Sequence, residues 1–277
     1  MFIDCHTHAF ADKIAEKAVA QLINYYHIPT DFQGTLSQLL QLGDQAALDA
    51  LVLLVAATKP EQVKPANDFI LSIAGLSPQA LQTISGINTP PRIIPFGTYH
   101  PADPNWLAEI QRLRAAGFNG IKLHPEFQGI DLGSPELYPF FEEVCHDFVL
   151  MIHMGDPLKT PANYSTPRKL AAILDRFPKL RVIAAHMGGY CFWEEALADL
   201  AGREVYFDTS STLSYIDRGL LRRLIDKHGT DRILFGSDYP LKSPQQELEL
   251  FRQIDWLTGT ERAKILGQNC AELLGVK

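Results

Sequence analysis

The chain has 277 residues, of which 46% are hydrophobic and 21% charged, a composition that excludes an intrinsically disordered chain and is large enough to bury a full core without covalent staples. Acidic side chains outnumber basic ones by 32 to 25, a net charge of −7 that argues against a nucleic-acid partner, because phosphate binding needs a basic face. The longest purely apolar run, residues 50–57, is far shorter than the roughly 20 residues needed to span a bilayer.

In chain order, apolar β-rich runs occur at residues 2–5, 51–57, 92–97, 120–123, 148–152, 181–185, 204–207 and 232–235. Several are apolar almost throughout, as strands buried on both faces are. Helical patterns fill the intervals at 105–116, where Gly117 stops the helix, and at 137–145, 167–176, 194–201 and 220–228. Two connections, 9–35 and 59–91, are too long for simple βα loops and are expected to carry extra helices. Strand–helix alternation predicts right-handed βαβ units and a parallel sheet. Eight units can close into a barrel, and no Gly-x-Gly-x-x-Gly follows the first strand to favour an open dinucleotide-binding sheet. No linker separates a second domain, so residues 1–277 are read as one domain. The N-terminus lacks the basic start and apolar stretch of a signal peptide, and Cys5, Cys145, Cys191 and Cys270 form no Cys-x-x-Cys pair, so a reduced, cytoplasmic protein is expected.

The polar residues mark the strand ends. The first strand runs into Asp4-Cys5-His6-Thr7-His8, the third into Tyr99-His100, the fourth into Lys122-Leu123-His124, the fifth into His153, the sixth into His186, the seventh into Asp208 and the eighth into Gly236-Ser237-Asp238. In a parallel barrel these ends meet at one face, where active sites are built. His6 and His8, two residues apart, project to the same side about 7 Å apart along a strand. Imidazole nitrogens suit zinc or another first-row metal; His153 can add a third nitrogen, and Asp238 an oxygen that also touches a metal-bound water. A bound zinc lowers the pKa of its water from about 9 to about 7, and a positioned base, Asp238 or His186, adds about 10²–10⁴-fold in rate. His100 and Asp208 divide evenly between structural and functional readings. His27, His146 and His228 read as solvent-facing, and Asp4 as a turn former or a support to the ligands. The long segment 9–35, with Tyr25, Tyr26 and His27, is expected to cover part of the pocket.

Taken together, Asp4-x-His6-x-His8, Gly120-Ile121-Lys122-Leu123-His124-Pro125, Ile152-His153-Met154-Gly155, Ala185-His186-Met187-Gly188-Gly189 and Gly236-Ser237-Asp238-Tyr239-Pro240 resemble the amidohydrolase superfamily, in particular its amidohydrolase-2 branch of TIM-barrel metal-dependent hydrolases. Residues 263–271 resemble that group's closing helix. The resemblance implies a single, distorted (β/α)₈ barrel with extra helices after strands 1 and 2. It makes His6, His8, His153 and Asp238 metal ligands, Asp238 also the proton-transfer group, and His186 a residue that polarises substrate, orients water or binds a second metal. Some superfamily members bridge two metals with a carboxylated lysine at the fourth strand; Lys122 lies near that place but two residues before His124, and Lys122 and His124 can instead bind a substrate carboxylate.

The sequence is therefore read as a metal-dependent hydrolase of a C–N or C–O bond in a small polar substrate, with zinc the expected metal, one ion or two. The branch also contains decarboxylases of aromatic or unsaturated acids, which is the runner-up reading. A metal-dependent nuclease is disfavoured by the charge, and a non-catalytic binding barrel by the retention of Asp238. A small-molecule substrate, no nucleic-acid or membrane partner, and compatibility with a homo-oligomer complete the expectation.

Overall fold

In the computed structural model every residue except 159, 161, 162 and 277 is described. Eight strands, β1 (Ile3–His8), β2 (Ala50–Leu54), β3 (Arg92–Thr98), β4 (Gly120–Leu123), β5 (Val149–Ile152), β6 (Arg181–Ala184), β7 (Tyr206–Asp208) and β8 (Ile233–Leu234), pair in parallel in chain order. The result is a nearly closed (β/α)₈ barrel. The first connection carries α1 (Asp12–Tyr26) and α2 (Leu36–Gln45), and the second carries α3 (Val63–Ala74) and α4 (Pro78–Ser85), as the lengths of those connections predicted. There follow α5 (Trp106–Ala115), the single turn α6 (Pro125–Gln128), α7 (Tyr138–Val144), α8 (Pro167–Arg176), α9 (Trp193–Asp199), α10 (Arg218–His228), α11 (Pro244–Arg252), α12 (Gly259–Ala263) and α13 (Asn269–Leu274). The sequence reading missed α11, although Ser243 and Gln246 form a reciprocal capping box and Pro244 opens the first turn.

Alternation along the strands divides the core in two. Ile94 and Phe96, Val149 and Met151, and Ala50, Val52 and Leu54 fill the barrel interior, which Cys270, Leu273 and Leu274 of α13 close from below. The residues between them, such as Leu51, Leu53, Ile121, Leu150 and Ile152, pack outward beneath the helices. On β4, β5 and β8 the same alternation carries Lys122, His124, His153 and Asp238 to the inside of the mouth.

β1 obeys a different rule. Ile3 and Cys5 face the interior, so strict alternation would turn His6 and His8 outward. The pairing with β2 instead shifts between Asp4 and Thr7, where one extra residue is inserted as a bulge. Above the bulge His6 and His8 face inward. A Cβ on Gly236 would stand 2.9 Å from that of His6, so only glycine leaves room for the imidazole at this point.

The seam between β8 and β1 carries no regular ladder. It is closed by Cys5 N–H donating to Phe235 O (2.9 Å), Asp238 N–H to His6 O (2.8 Å) and His8 N–H to Tyr239 O (2.9 Å). Asp4 spans it from within: its Oδ1 accepts the backbone N–H of His6 and of Ser237, each at 3.0 Å. One expectation fails away from the mouth. His228 is buried rather than solvent-facing; its ring stacks on Phe207 at 4.0 Å and its Nδ1 accepts the Gly202 N–H.

Replacing Asp4 with alanine strands two buried N–H groups, each costing about 1–3 kcal/mol. Chemical denaturation of Asp4→Ala should therefore show a loss of about 2–4 kcal/mol, and Asp4→Asn, which keeps an acceptor oxygen, a smaller one. A wild-type midpoint for Asp4→Ala would remove Asp4 from the seam.

Candidate active site

Hydrogen-bond partners assign the histidine tautomers at the mouth. His6 Nδ1 lies 3.0 Å from Asp208 Oδ2 and 3.0 Å from Ser210 Oγ, whose own hydrogen goes to Asp208 Oδ1. His6 Nδ1 therefore carries hydrogen and Nε2 a lone pair. His8 Nδ1 donates to Leu54 O at 3.3 Å, which leaves its Nε2 bare as well. Asp238 Oδ2 accepts from Ser211 Oγ at 2.6 Å, while Oδ1 stands 3.4 Å from His6 Nε2 and 3.7 Å from His8 Nε2. Two bare imidazole nitrogens and a carboxylate oxygen thus converge, a group that a cation stabilises. Lys122 Nζ, fully buried, approaches His6 Nε2 to 3.1 Å and acts as an internal stand-in for that cation. Two neutral imidazoles and one carboxylate, all pre-oriented by partners behind them, fit a divalent transition metal.

On the other side of His6 lies His186. Its N–H donates to Asp208 Oδ1 at 3.1 Å, its Nδ1 donates to Ser210 O at 3.0 Å, and its Nε2 faces His153 Nδ1 at 3.0 Å. His6, His186 and Asp208 form a second close donor group. Among the described residues, the His153 nitrogens belong to neither group; they meet His186 and the Tyr26 hydroxyl instead. His124 stacks between Phe127 at 4.0 Å and His153 at 3.9 Å. Lys122 and His124 point the same way but at different depths: His124 lines the pocket, whereas Lys122 lies beneath it against His6. His100 turns its Nδ1 to the Ala102 N–H, a loop contact outside this cluster.

The sequence reading missed how much β7 contributes. Asp208, Ser210 and Ser211 hold His6, His186 and Asp238 between them. The available signal was the run Asp208-Thr209-Ser210-Ser211 at a strand end. His186, Ser211 and Asp238 all adopt left-handed φ (62°, 46° and 64°), a costly backbone that clusters at functional sites.

Burial holds every ring neutral. It pushes His6, His124 and His153 far below the usual imidazole value, with the Lys122 charge adding to the effect. It pushes His8 down to about 3, again with Lys122 contributing, and His186 to about 4 against the opposing pull of Asp208. Burial raises Asp238, opposed by Ser211 and Lys122, and lowers Lys122, opposed by Asp238 and Asp208.

Above the donors opens a cavity of about 340 Å³. Phe10, Leu22, Tyr25, Tyr26, Phe127 and Leu241 make its walls largely apolar, with His6, His8, His124, His153 and Asp238 at its floor. α1 therefore covers the pocket, as the long first connection suggested, and Tyr25 ties it down by donating to Asp156 Oδ2 at 2.5 Å. His27, exposed, is the left-handed cap of α1 and takes no part.

The amidohydrolase family model matches residues 3–276, and the chain belongs to that family. The decarboxylase orsB of Emericella nidulans is 25% identical over 127 residues, a stretch covering 38% of this chain and 38% of that protein. An uncharacterized TIM-barrel protein, Bb4693 of Bordetella bronchiseptica, superposes with a TM-score of 0.77 at 16% identity, covering 99% of this chain and 98% of its own. A dihydroxybenzoic acid decarboxylase of Polaromonas sp. JS666, with bound manganese and the inhibitor 2-nitroresorcinol, superposes at 0.67 and 16% identity, covering 99% of this chain and 97% of its own. The family and its relatives make the chain an enzyme acting on a small molecule. Among the described residues no helix is long and apolar enough to cross a membrane.

Two outcomes follow from the site. The purified protein should carry about one equivalent of a divalent transition metal, or two if the second donor group fills, and the double variant His6→Ala, His8→Ala should lose most of it while the barrel stays folded. Metal analysis with circular dichroism checks both, and unchanged content rejects the ligand assignment. The second concerns acid. Below pH 6.5 the unfolded chain protonates its histidines while folded His6, His8, His124, His153, His186 and His228 stay neutral, so their stabilisation is present above that pH and lost as pH falls. His100 is lowered as well, while Asp4, Glu126, Asp238 and Glu247, raised by burial, act in the opposite sense but are fewer. The net slope has an upper bound of about 4 kcal/mol per pH unit. The melting temperature of the metal-free protein should fall from about pH 6.5 to 5; a flat or rising profile over that range would show these rings charged when folded.

Proposed function

We propose that this member of the amidohydrolase family is a metal-dependent hydrolase that cleaves a C–N or C–O bond in a small substrate. His6, His8 and Asp238 hold one zinc ion, His153 joins them by turning one nitrogen from its present partner, His186 or Tyr26, and the whole chain, residues 1–277, forms one catalytic unit. The observation that carries the reading is the meeting of the His6 and His8 lone pairs with Asp238 Oδ1 at the floor of the cavity. A divalent cation held there supplies Lewis acidity and lowers the pKa of a water from about 9 to about 7.

The chain's own groups supply the rest. Asp238 Oδ1 takes the proton of the attacking water and returns it to the leaving group, while Ser211 anchors Oδ2 and fixes the direction of Oδ1. The raised affinity of buried Asp238 for a proton suits a carboxylate that must accept one near neutrality. His186, locked by Asp208 and Ser210, orients the reacting group, and Lys122 balances the charge of Asp238 and Asp208 from below. His124, at the cavity floor, holds the Tyr26 hydroxyl oxygen over the substrate space.

A second reading has its own support. The cavity walls are aromatic and apolar, which suits a planar ring better than a highly polar substrate. The Emericella and Polaromonas relatives are decarboxylases. In a decarboxylase Asp238 would deliver its proton to carbon as CO₂ departs.

Asp238→Asn keeps the shape and one oxygen but takes no proton. It should retain much of its metal and its melting temperature and lose at least about 10²-fold in kcat. Near-wild-type turnover rejects the role of Asp238. Turnover in ¹⁸O-labelled water separates the two chemistries: label in the organic product marks hydrolysis, and CO₂ release with unlabelled organic product marks decarboxylation.

A further inference from the structure

Tyr26, the last residue of α1, reaches from the roof of the cavity to its histidine floor. Its hydroxyl oxygen lies 3.0 Å from His124 Nε2 and 3.4 Å from His153 Nε2. Partners on the far side of each ring fix where the hydrogens are. His124 Nδ1 accepts the Phe127 N–H at 3.3 Å, so His124 Nε2 carries hydrogen and donates it to Tyr26. At the other end, His186 Nδ1 donates to Ser210 O, so His186 Nε2 is bare and His153 Nδ1 must donate to it. That leaves His153 Nε2 bare, to accept the Tyr26 O–H. One directed chain results: His124 to Tyr26, to His153, to His186, to Ser210.

We propose that Tyr26 is a substrate-contacting hydrogen-bond donor, positioned by His124, and that occupation of the metal centre turns its O–H from His153 toward the substrate. The inference rests on the reading of His153 as a ligand. If His153 ligates through Nε2, the lone pair that Tyr26 uses is taken. If it ligates through Nδ1, the hydrogen moves to Nε2 and donates to the Tyr26 oxygen. In both cases the Tyr26 O–H loses its acceptor while His124 still holds the oxygen in place. Around it stand Tyr25 and Phe127, with ring centres 4.9 and 5.8 Å from that of Tyr26, which leaves the cavity as the direction in which an acceptor can arrive. A buried donor without a partner is costly, so the site selects a ligand that brings one: a small planar molecule carrying a carboxylate or carbonyl oxygen.

The test titrates zinc-loaded wild type and Tyr26→Phe calorimetrically with benzoate, and with indole, which is planar but has no oxygen. Tyr26→Phe should keep its zinc content and its indole affinity and bind benzoate about tenfold to a hundredfold more weakly, the worth of a hydrogen bond to a charged acceptor. The contrast should shrink in the metal-free proteins, where the hydroxyl is engaged by His153. Adding His124→Ala to Tyr26→Phe should cost little more than either change alone, and additive losses would overturn the part given to His124. Equal benzoate affinities, a parallel loss of indole affinity, or no benzoate binding by zinc-loaded wild type overturns the proposal. Failure of wild type to bind zinc overturns the metal reading along with it, whereas zinc binding with equal benzoate affinities overturns this inference alone.

Discussion

The mouth of the barrel depends on how one carboxylate closes the seam between the first and last strands. Asp4 Oδ1 takes the N–H of His6 on one side and of Ser237 on the other, and each of these residues adjoins or is a donor of the metal centre. The His6 carbonyl in turn accepts from Asp238 N–H. The distance between the β1 histidines and the β8 carboxylate is thus set by backbone bonds in the wall of the barrel rather than by long side chains. Gly236 completes the arrangement, since any side chain there would displace the His6 ring. A donor group built this way is pre-formed, so its side chains would lose little freedom on holding a metal.

The electrostatics of that floor follow from the same compression. Asp4, Asp208, Asp238 and Lys122 lie in a buried volume with His6, His124, His153 and His186, and a single ammonium faces the carboxyl groups of Asp208 and Asp238. Burial keeps every imidazole neutral, which is the state a metal ligand needs. It also holds Asp4 up to about 7 and raises Asp238, so part of the negative charge is removed by protons rather than by cations. A divalent cation held by Asp238 would displace the proton there, which would couple its binding to proton release.

The sequence made the fold legible because hydrophobic runs and strand-end polar residues repeat in step, and each repeat is a complete βα unit. It made His6, His8, Lys122, His153, His186 and Asp238 visible as strand-end residues for the same reason. The inward orientation of His6 and His8 was reached by pairing residues two apart, yet the true cause is the bulge after Asp4, and nothing in Asp-Cys-His-Thr-His announces an inserted residue. Ser210 and Ser211 stayed hidden because serine after a strand usually makes a turn, and only the fold brings these two hydroxyls to residues of β1, β6 and β8. Tyr26 was legible only as part of a segment expected to cover the pocket; its contacts with His124 and His153 depend on the opposite wall, which the sequence does not show.

The floor and the roof of the cavity are built with different rigidity. His6, His8, His186 and Asp238 each have a second bond behind them, to Asp208, Leu54, Ser210 and Ser211 respectively. The roof helix α1 buries only Ala15 and Val19, leaves Ile14 and Tyr25 exposed, and has no side-chain cap at its N-terminus. It is held over the mouth chiefly by the Tyr25–Asp156 and Tyr26–His124 hydrogen bonds. Few buried contacts give α1 a lower free energy of local opening than the strands that carry the floor. The same division lets substitutions in α1 change the walls of the cavity while the hydrogen-bonded floor stays fixed.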